Sequence, residues 1–459
     1  MRRLSITASG LLMAAILAGC EAPADDDGDG GGGGGEVTGP LPAFAKSFDG
    51  PIVVRSAAMG QDGDVFFGGD STALLDFGGG ELQAVPEGSL FVAHLAANGD
   101  HLFSGITGVA DELRDVAIGP GGELHVTGTF SGDISFGSGM LSGEDDGFFA
   151  TFTRDGTPAR SFAAGSDGDD GFTSVVTTPL GLVVLAGRFG RDADLGGGAV
   201  FDDFSGPVPT IVAYDEEGGH LWQLHFASWS NVRNLTLASD GAGNILVAGE
   251  AKSDISVGGL EDTAGAFVMK LDAAGEPMWL RSTGSNDDMR LTGMATDAAG
   301  HVVFGGLYTG SFTFGGFVAP ATSSTNGYLA GLDANGKPLF LRAFGRSDDK
   351  VSLEMATSRD GTSVVAITTD SPVDLGEGLV GSDDGDSQVI VGRFDAGGGL
   401  IGAEVLAGTG EEYAYSVVMG PDGAPVLLGA FDGELTVGGA DLVADPQAGI
   451  STFVARLAP

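Results

Sequence analysis

Asp76-Phe77-Gly78-Gly79 is the first of seven short segments built alike. Ser135-Phe136-Gly137-Ser138, Asp194-Leu195-Gly196-Gly197 and Ser256-Val257-Gly258-Gly259 follow. Thr313-Phe314-Gly315-Gly316, Asp374-Leu375-Gly376-Glu377 and Thr436-Val437-Gly438-Gly439 complete the set. Each places an apolar residue between a small or acidic polar residue and glycine, and the spacing is about 60 residues throughout. Seven copies in register identify a repeat architecture, in which one unit buries its apolar face only against its neighbours.

Working outward, each period holds four strand-like pieces. The first is short and mixed, as in Asp115-Val116-Ala117-Ile118, and stops at a turn such as Pro120-Gly121-Gly122 or Pro421-Asp422-Gly423. The second is β-branched and runs into glycine, as in Ile245-Leu246-Val247-Ala248-Gly249. The third reads Phe-Val-Ala-x-Leu at Phe91 to Leu95 and Phe453 to Leu457, and Phe267-Val268-Met269-Lys270-Leu271 is a variant of it. A turn of the Asp272-Ala273-Ala274-Gly275 or Ala334-Asn335-Gly336 kind comes next, and the fourth piece then carries Trp222, Trp279 or Phe340 near its start. Alternating apolar residues bounded by Gly, Asn and Asp are strand and hairpin signals. Most of the 82 glycines fall at these joints, which points to turns rather than to a disordered chain.

Four strands per period, seven times over, fit an all-β, seven-bladed β-propeller of four-stranded antiparallel blades. A β-helix turn is much shorter, and a sandwich has no reason to repeat itself. The two ends of the repeat region carry a separate expectation. The last period stops after its third strand, while Pro42-Ala43-Phe44-Ala45-Lys46-Ser47-Phe48-Asp49 matches the fourth strand Pro338-Leu339-Phe340-Leu341-Arg342-Ala343-Phe344-Gly345 at Pro, Phe, the basic residue and Phe. The N-terminal segment is therefore expected to close the last blade and remove an open sheet edge.

The third-strand Phe-Val-Ala-x-Leu, the Asp-Ala-x-Gly turn and the aromatic fourth strand resemble the SBBP-type β-propeller repeat of bacterial surface lipoproteins over residues 42–459. The resemblance implies fold and location. That repeat family shares no chemistry, so it implies no catalytic residue.

Upstream of the repeats, Arg2 and Arg3 precede an apolar run from Leu4 to Ala18 that is too short to span a bilayer as a mature helix. It ends in Leu17-Ala18-Gly19-Cys20, which looks like the bacterial lipobox and implies cleavage before Cys20 and acylation of that thiol. Residues 1–19 thus read as a lipoprotein signal peptide. Residues 20–41 read as the lipidated cysteine and a flexible tether, with Asp25-Asp26-Asp27-Gly28-Asp29 followed by six glycines. Glu21 in second place of the mature chain leans towards the outer membrane or cell surface. Cys20 is the one cysteine, so the body folds without disulfides.

The formal charge of −42 excludes nucleic acid as a partner and favours solubility and cations. Several motif matches dissolve on inspection. Asp25, Asp27, Asp29, Gly30 and Glu36 satisfy the calcium-loop spacing but lie in glycine tether instead of between helices. Gly331 to Lys337 imitates a phosphate loop, yet Pro338 stands where Ser or Thr must bind magnesium. The six histidines form no HExxH pair, and His220 and His225, five apart on a strand, are expected on opposite faces.

One constellation remains. An acidic pair precedes the first strand of most periods: Asp111-Glu112, Asp169-Asp170, Asp287-Asp288, Asp348-Asp349 and Glu411-Glu412. Asp49 stands at the closing junction and Ser230-Asn231 replaces the pair at another. In an up-and-down blade these carboxylates ring one channel mouth, beside variable second-to-third loops such as Ser142 to Asp146 and Ser382 to Asp386. Oxygen ligands of this kind suit calcium, whereas Asp and Asn in tight turns need no ligand at all. The function expected is a monomeric, non-catalytic surface binding module for a protein or glycan. A metal-assisted envelope hydrolase or lyase and a purely structural surface protein are the alternatives.

Overall fold

Each period supplies its strands in the order in which they pair. In the computed structural model the second period gives Glu112–Ile118, Leu124–Ser135, Met140–Phe152 and Pro158–Ala164, hydrogen-bonded side by side as one antiparallel sheet. Seven such four-stranded sheets stand in a ring as a β-propeller. The structure describes residues 43–459 apart from 51, 86–87, 108–111, 167–169, 191, 199–206, 228–230, 285–288, 346–351, 384, 407 and 447–448.

The ring is visible in the first strands, Ile52–Met59, Glu112–Ile118, Gly171–Thr177, Val232–Ser239, Met289–Thr296, Ser352–Thr357 and Glu412–Met419. Each touches the next, and the last touches the first. The seventh sheet joins Glu412–Met419, Pro425–Phe431 and Ser451–Arg456 to the N-terminal strand Ala45–Asp49. Ala45 lies opposite Ala455 and Asp49 opposite Ser451. The Arg456 N–H donates to the Phe44 carbonyl at 2.8 Å, and the Ser451 hydroxyl donates to Asp49 Oδ1 at 2.7 Å. Pro42 lies outside the described residues.

No single core fills the molecule. Seven apolar clusters each occupy the wedge between two consecutive blades. Alternation along a strand sends neighbouring side chains to opposite faces, so one strand feeds two wedges. Phe66 packs towards the second blade, whereas Val65 and Phe67 pack towards the seventh.

The glycine signals mark how the wedge is closed at its wide outer end. The stretch that ends or follows each second strand buries two apolar residues, one in the motif and one two places before it. The pairs are Leu75/Phe77, Ile134/Phe136, Ala193/Leu195, Ile255/Val257, Phe312/Phe314, Val373/Leu375 and Leu435/Val437, all buried. Val257 bridges to Phe226 of the preceding blade, and Ala227 N–H donates to the Ser256 carbonyl at 2.8 Å. These stretches therefore plug the wedges.

A second device clasps the opposite side. The third residue of the fourth strand in five blades, and Phe44 just before Ala45–Asp49 in the seventh, reaches across and lies on the glycine that turns the third strand into the fourth in the next blade. Phe44 meets Gly99, Phe103 meets Gly156, Arg160 meets Gly218, Trp222 meets Gly275, Trp279 meets Gly336 and Phe340 meets Gly398. The indole N–H of Trp222 also donates to the Ala273 carbonyl at 3.1 Å, and that of Trp279 to Ala334 at 3.2 Å. At Gly275 and Gly336 φ is +82° and +78°, and a Cβ would meet the indole at 2.5 and 2.7 Å. Only glycine allows both the turn and the approach.

Near the channel, side chains of adjacent first strands are stitched together. Asp115 accepts the Ser56 hydroxyl at 2.7 Å, the Ser174 hydroxyl at 2.7 Å and the N–H groups of Val116 and Val175 at 2.9 Å each. One carboxylate thus ties the first three blades. Asp115→Ala strands those donors, and a loss on the order of 3 kcal/mol is expected in urea unfolding. Asp115→Asn, which keeps one acceptor, is expected to lose less.

Candidate functional site

The first-strand starts and the second-to-third segments share one face, because backbone bonds join them. The Asp170 N–H donates to Asp145 O at 3.0 Å, and the Glu412 N–H donates to Ser387 O at 2.9 Å. Of the acidic pairs, Asp111, Asp169, Asp287, Asp288, Asp348 and Asp349 lie outside the described residues, as does Cys20. Glu112, Asp170, Glu411 and Glu412 are described, and three of the four are engaged in bracing.

Glu112 holds two arginines. Its Oε1 is 3.3 Å from Arg55 and its Oε2 is 2.6 Å from Arg114, and Arg55 also pairs with Asp70 at 2.5 Å. Both arginines sit on the one-residue bulge in their first strands, between Val54 and Ser56 and between Leu113 and Asp115. A bulge residue leaves the ladder and is re-aimed, and here it neutralises a rim carboxylate. Asp170 is buried and ties its turn, accepting the Ser166 hydroxyl at 2.7 Å and the N–H groups of Ser166 and Gly190. Glu411 accepts the Ser387 N–H at 3.0 Å and the Tyr413 hydroxyl at 3.2 Å, and its own N–H donates to Asp432 at 2.7 Å.

Glu412 differs. It is 2 % exposed, and its Oε1 has no hydrogen-bond partner. Burial pushes its carboxyl up to about 7, and the charges of Asp432, Glu411 and Asp386 push the same way against the pull of the Gly408 N–H. Among the described residues, no three Asp, Glu, His or Cys side chains gather closely enough to hold a metal ion.

Two groups escaped sequence reading. Glu354 occupies the same position in the sixth blade that Asp115 holds in the second, since Glu354 pairs with Ala366 as Asp115 pairs with Thr127. Burial drives its carboxyl up to about 8, with Arg290 pulling down. The variable x of Phe-Val-Ala-x-Leu is the other group. Lys270 there pairs with Asp240 at 2.7 Å, Arg456 with Asp422 at 3.0 Å and His94 with Asp64 at 2.6 Å, all buried. Each acid comes from the turn between first and second strands of the same blade. The signal was present as a basic x facing an acidic first turn.

The expectation for His220 and His225 is corrected. Tyr214 pairs with His220 but Ala213 pairs with Trp222, so a bulge at Leu221 shifts the alternation. His220, Gln223 and His225 therefore share one face. Burial takes His225 down to about 4, and its Nδ1 lies 3.2 Å from the Thr210 hydroxyl.

No family model matches the sequence, and no curated protein matches it. Solved structures are similar in fold. Sqt1 from Chaetomium thermophilum is 12% identical over 92% of this chain and 100% of its own, with a TM-score of 0.45. A polysaccharide lyase of the PL25 ulvan lyase family bound to -[GlcA(1-4)Rha3S]- is 10% identical over 88% of this chain and 93% of its own, TM-score 0.47. A puromycin hydrolase S511A mutant complexed with PGG is 12% identical over 86% of this chain and 54% of its own, TM-score 0.47. At such identities none of them speaks to activity.

The rim and the buried pairs are separable by mutation. Lys270→Ala leaves Asp240 buried without its cation, held only by the Ala242 and Asn244 donors, and a loss of about 3 kcal/mol is expected. Glu112→Ala removes half-exposed pairs and is expected to cost under about 1 kcal/mol. Urea denaturation of the two variants checks the contrast.

Proposed function

We propose that the protein is a lipid-anchored protein of the bacterial envelope, at the outer membrane or cell surface, acting as a non-catalytic binding ring. The Leu17-Ala18-Gly19-Cys20 sequence supports the anchor, and the kinship of the repeats with the SBBP type is part of the same reading. The observation that carries the binding role is the stitched rim. The segments that vary most between periods hang by backbone bonds on first-strand starts, as at Asp170–Asp145 and Glu412–Ser387, and the first strands pack against one another around the channel, the first three stitched by Asp115. Variable chemistry on a rigid frame is what a binding surface needs.

Calcium is the cation proposed for this face: its binding would draw together Glu412 and the carboxylates of Glu411, Asp432 and Asp386, whose charges act on it but which form no ready-made cage. A cation that binds only the folded ring stabilises it by mass action, about 1.4 kcal/mol at ten times Kd. Millimolar calcium is therefore expected to raise Tm by a few degrees at pH 7.5 relative to chelator, with Glu411→Gln abolishing the rise. An unmoved Tm together with no titration heat defeats the cation assignment. Radiolabelled palmitate incorporation, expected in the full chain and absent from Cys20→Ser, checks the anchor separately.

A further inference from the structure

Exposed apolar side chains gather at one edge of the ring. The first strands start beside the second-to-third segments, so antiparallel order puts the start of every fourth strand on the opposite face. In six fourth strands the ladder to the third strand skips the second residue. A bulge re-aims the skipped side chain. Five of the six, Leu102, Leu221, Met278, Leu339 and Ile401, are exposed aliphatics, and the sixth is Ala159. Edge strands commonly use charge or bulges to keep other chains away, and here the bulge carries grease instead of charge.

The plugging stretches reach the same corners of the blades. Gly137 lies against Pro158, Gly258 against Pro277 and Gly315 against Pro338, each proline being the first residue of a fourth strand. Close after such glycines Met140, Phe317, Val318 and Leu379 are exposed. With Leu180 in the first turn of the third blade, ten of the thirteen exposed large apolar side chains among the described residues stand on this face or at its edge. One exposed aliphatic needs no explanation, but a ring of them at one level does. The chain itself enters at that level. Phe44, which leads into Ala45–Asp49, lies on Gly99 in the third-to-fourth turn of the first blade, and Gly438 lies against its carbonyl and Ala45. Residues 21–42 separate this corner from Cys20, and a glycine-rich stretch of that length reaches roughly 25 Å.

We infer that the face carrying the third-to-fourth turns lies on a zwitterionic lipid surface, its aliphatic bulges seated among the headgroups, and that the variable segments point away from the bilayer. The inference rests on the acylation of Cys20 proposed for this chain. An acyl chain there keeps the corner at Phe44 within tether reach of lipid, at an effective concentration on the order of millimolar, so contacts too weak to hold a free protein suffice. The charge selects the lipid, because a formal −42 repels an anionic bilayer. Asp272, Asp333 and Asp395 in the same turns each accept two N–H groups of their own backbone, which holds those carboxylates on the chain. The binding surface on the opposite face is thereby left open to what lies outside the membrane.

The test uses the acylated full chain in phosphatidylcholine vesicles. Cys20 is the one cysteine and its acylated sulfur is closed to thiol reagents, so Met278→Cys, Ile401→Cys and Val53→Cys each offer a single thiol for an NBD probe. Val53 is the control, an exposed apolar residue near the start of a first strand on the opposite face. A nitroxide on the lipid headgroup is expected to quench the probe roughly twofold at the Met278 and Ile401 sites and to leave the Val53 site unchanged. Leu339→Asp combined with Leu379→Asp, both at exposed positions, is expected to relieve the quenching at the Ile401 site while the chain still floats with the vesicles. Flotation without quenching at the two sites, or equal quenching at the Val53 site, overturns the inference and leaves the anchor standing. A chain that carries no acyl group and stays off the vesicles overturns both. Shielding of the two probes that appears in detergent and grows with protein concentration assigns the face to a second copy of the chain, and overturns the inference as well.

Discussion

Everything in this fold depends on one constraint: a blade has two apolar faces and can cover neither of them by itself. The faces of the second blade are buried by Phe66, Val92 and Phe103 on one side and by Phe172, Leu185 and Val212 on the other. Each wedge is completed only when both neighbours are present, so the stability of every blade is conditional on ring closure. Blades radiate, and radiating sheets leave gaps that widen outwards. The rim segments and the clasps answer that geometry, which is why both recur with the period of the chain.

The same logic explains which sequence signals were legible. Phe77 and Phe314 with their trailing glycines recur because every wedge needs the same plug, and a requirement repeated seven times is readable without coordinates. What the plug does was not readable. The Asp-Phe-Gly-Gly type of segment looks like an ordinary strand end followed by a loop, and only tertiary structure shows Val257 bridging back to Phe226 of the preceding blade. His220 and His225 were misplaced for a related reason. Alternation assumes an unbroken ladder, and the bulge at Leu221 adds one residue that no periodicity announces.

Charge was the less legible half. A formal −42 suggests a surface of free carboxylates, yet many of them are backbone braces. Asp76 Oδ1 accepts the N–H groups of Gly78 and Gly80, Asp272 those of Ala274 and Glu276, and Asp333 those of Asn335 and Lys337. The Lys337 N–H holds the Asp333 carboxyl below the usual carboxylate range. On the rim, Asp170 and Glu411 accept backbone N–H groups and Glu112 holds two arginines. Sequence shows where acids cluster. It does not show which of them have already spent their lone pairs on the chain itself.

Against a background of repetition, departures from the pattern carry more information than the pattern does. Asp115 and Glu354 occupy one position on two first strands, but Asp115 has Ser56 and Ser174 on either side whereas Gly293, at the matching position of the fifth blade, gives Glu354 no side chain to bond. Identical backbone placement thus yields one saturated carboxylate that fastens blades and one whose carboxyl desolvation raises against the pull of Arg290. The same reading applies to Glu412 among the braced rim acids, since its Oε1 has no hydrogen-bond partner. Glu412 opens the blade whose fourth strand is the N-terminal Ala45–Asp49, so that blade pairs its third and fourth strands without the hairpin turn that joins them in the other six.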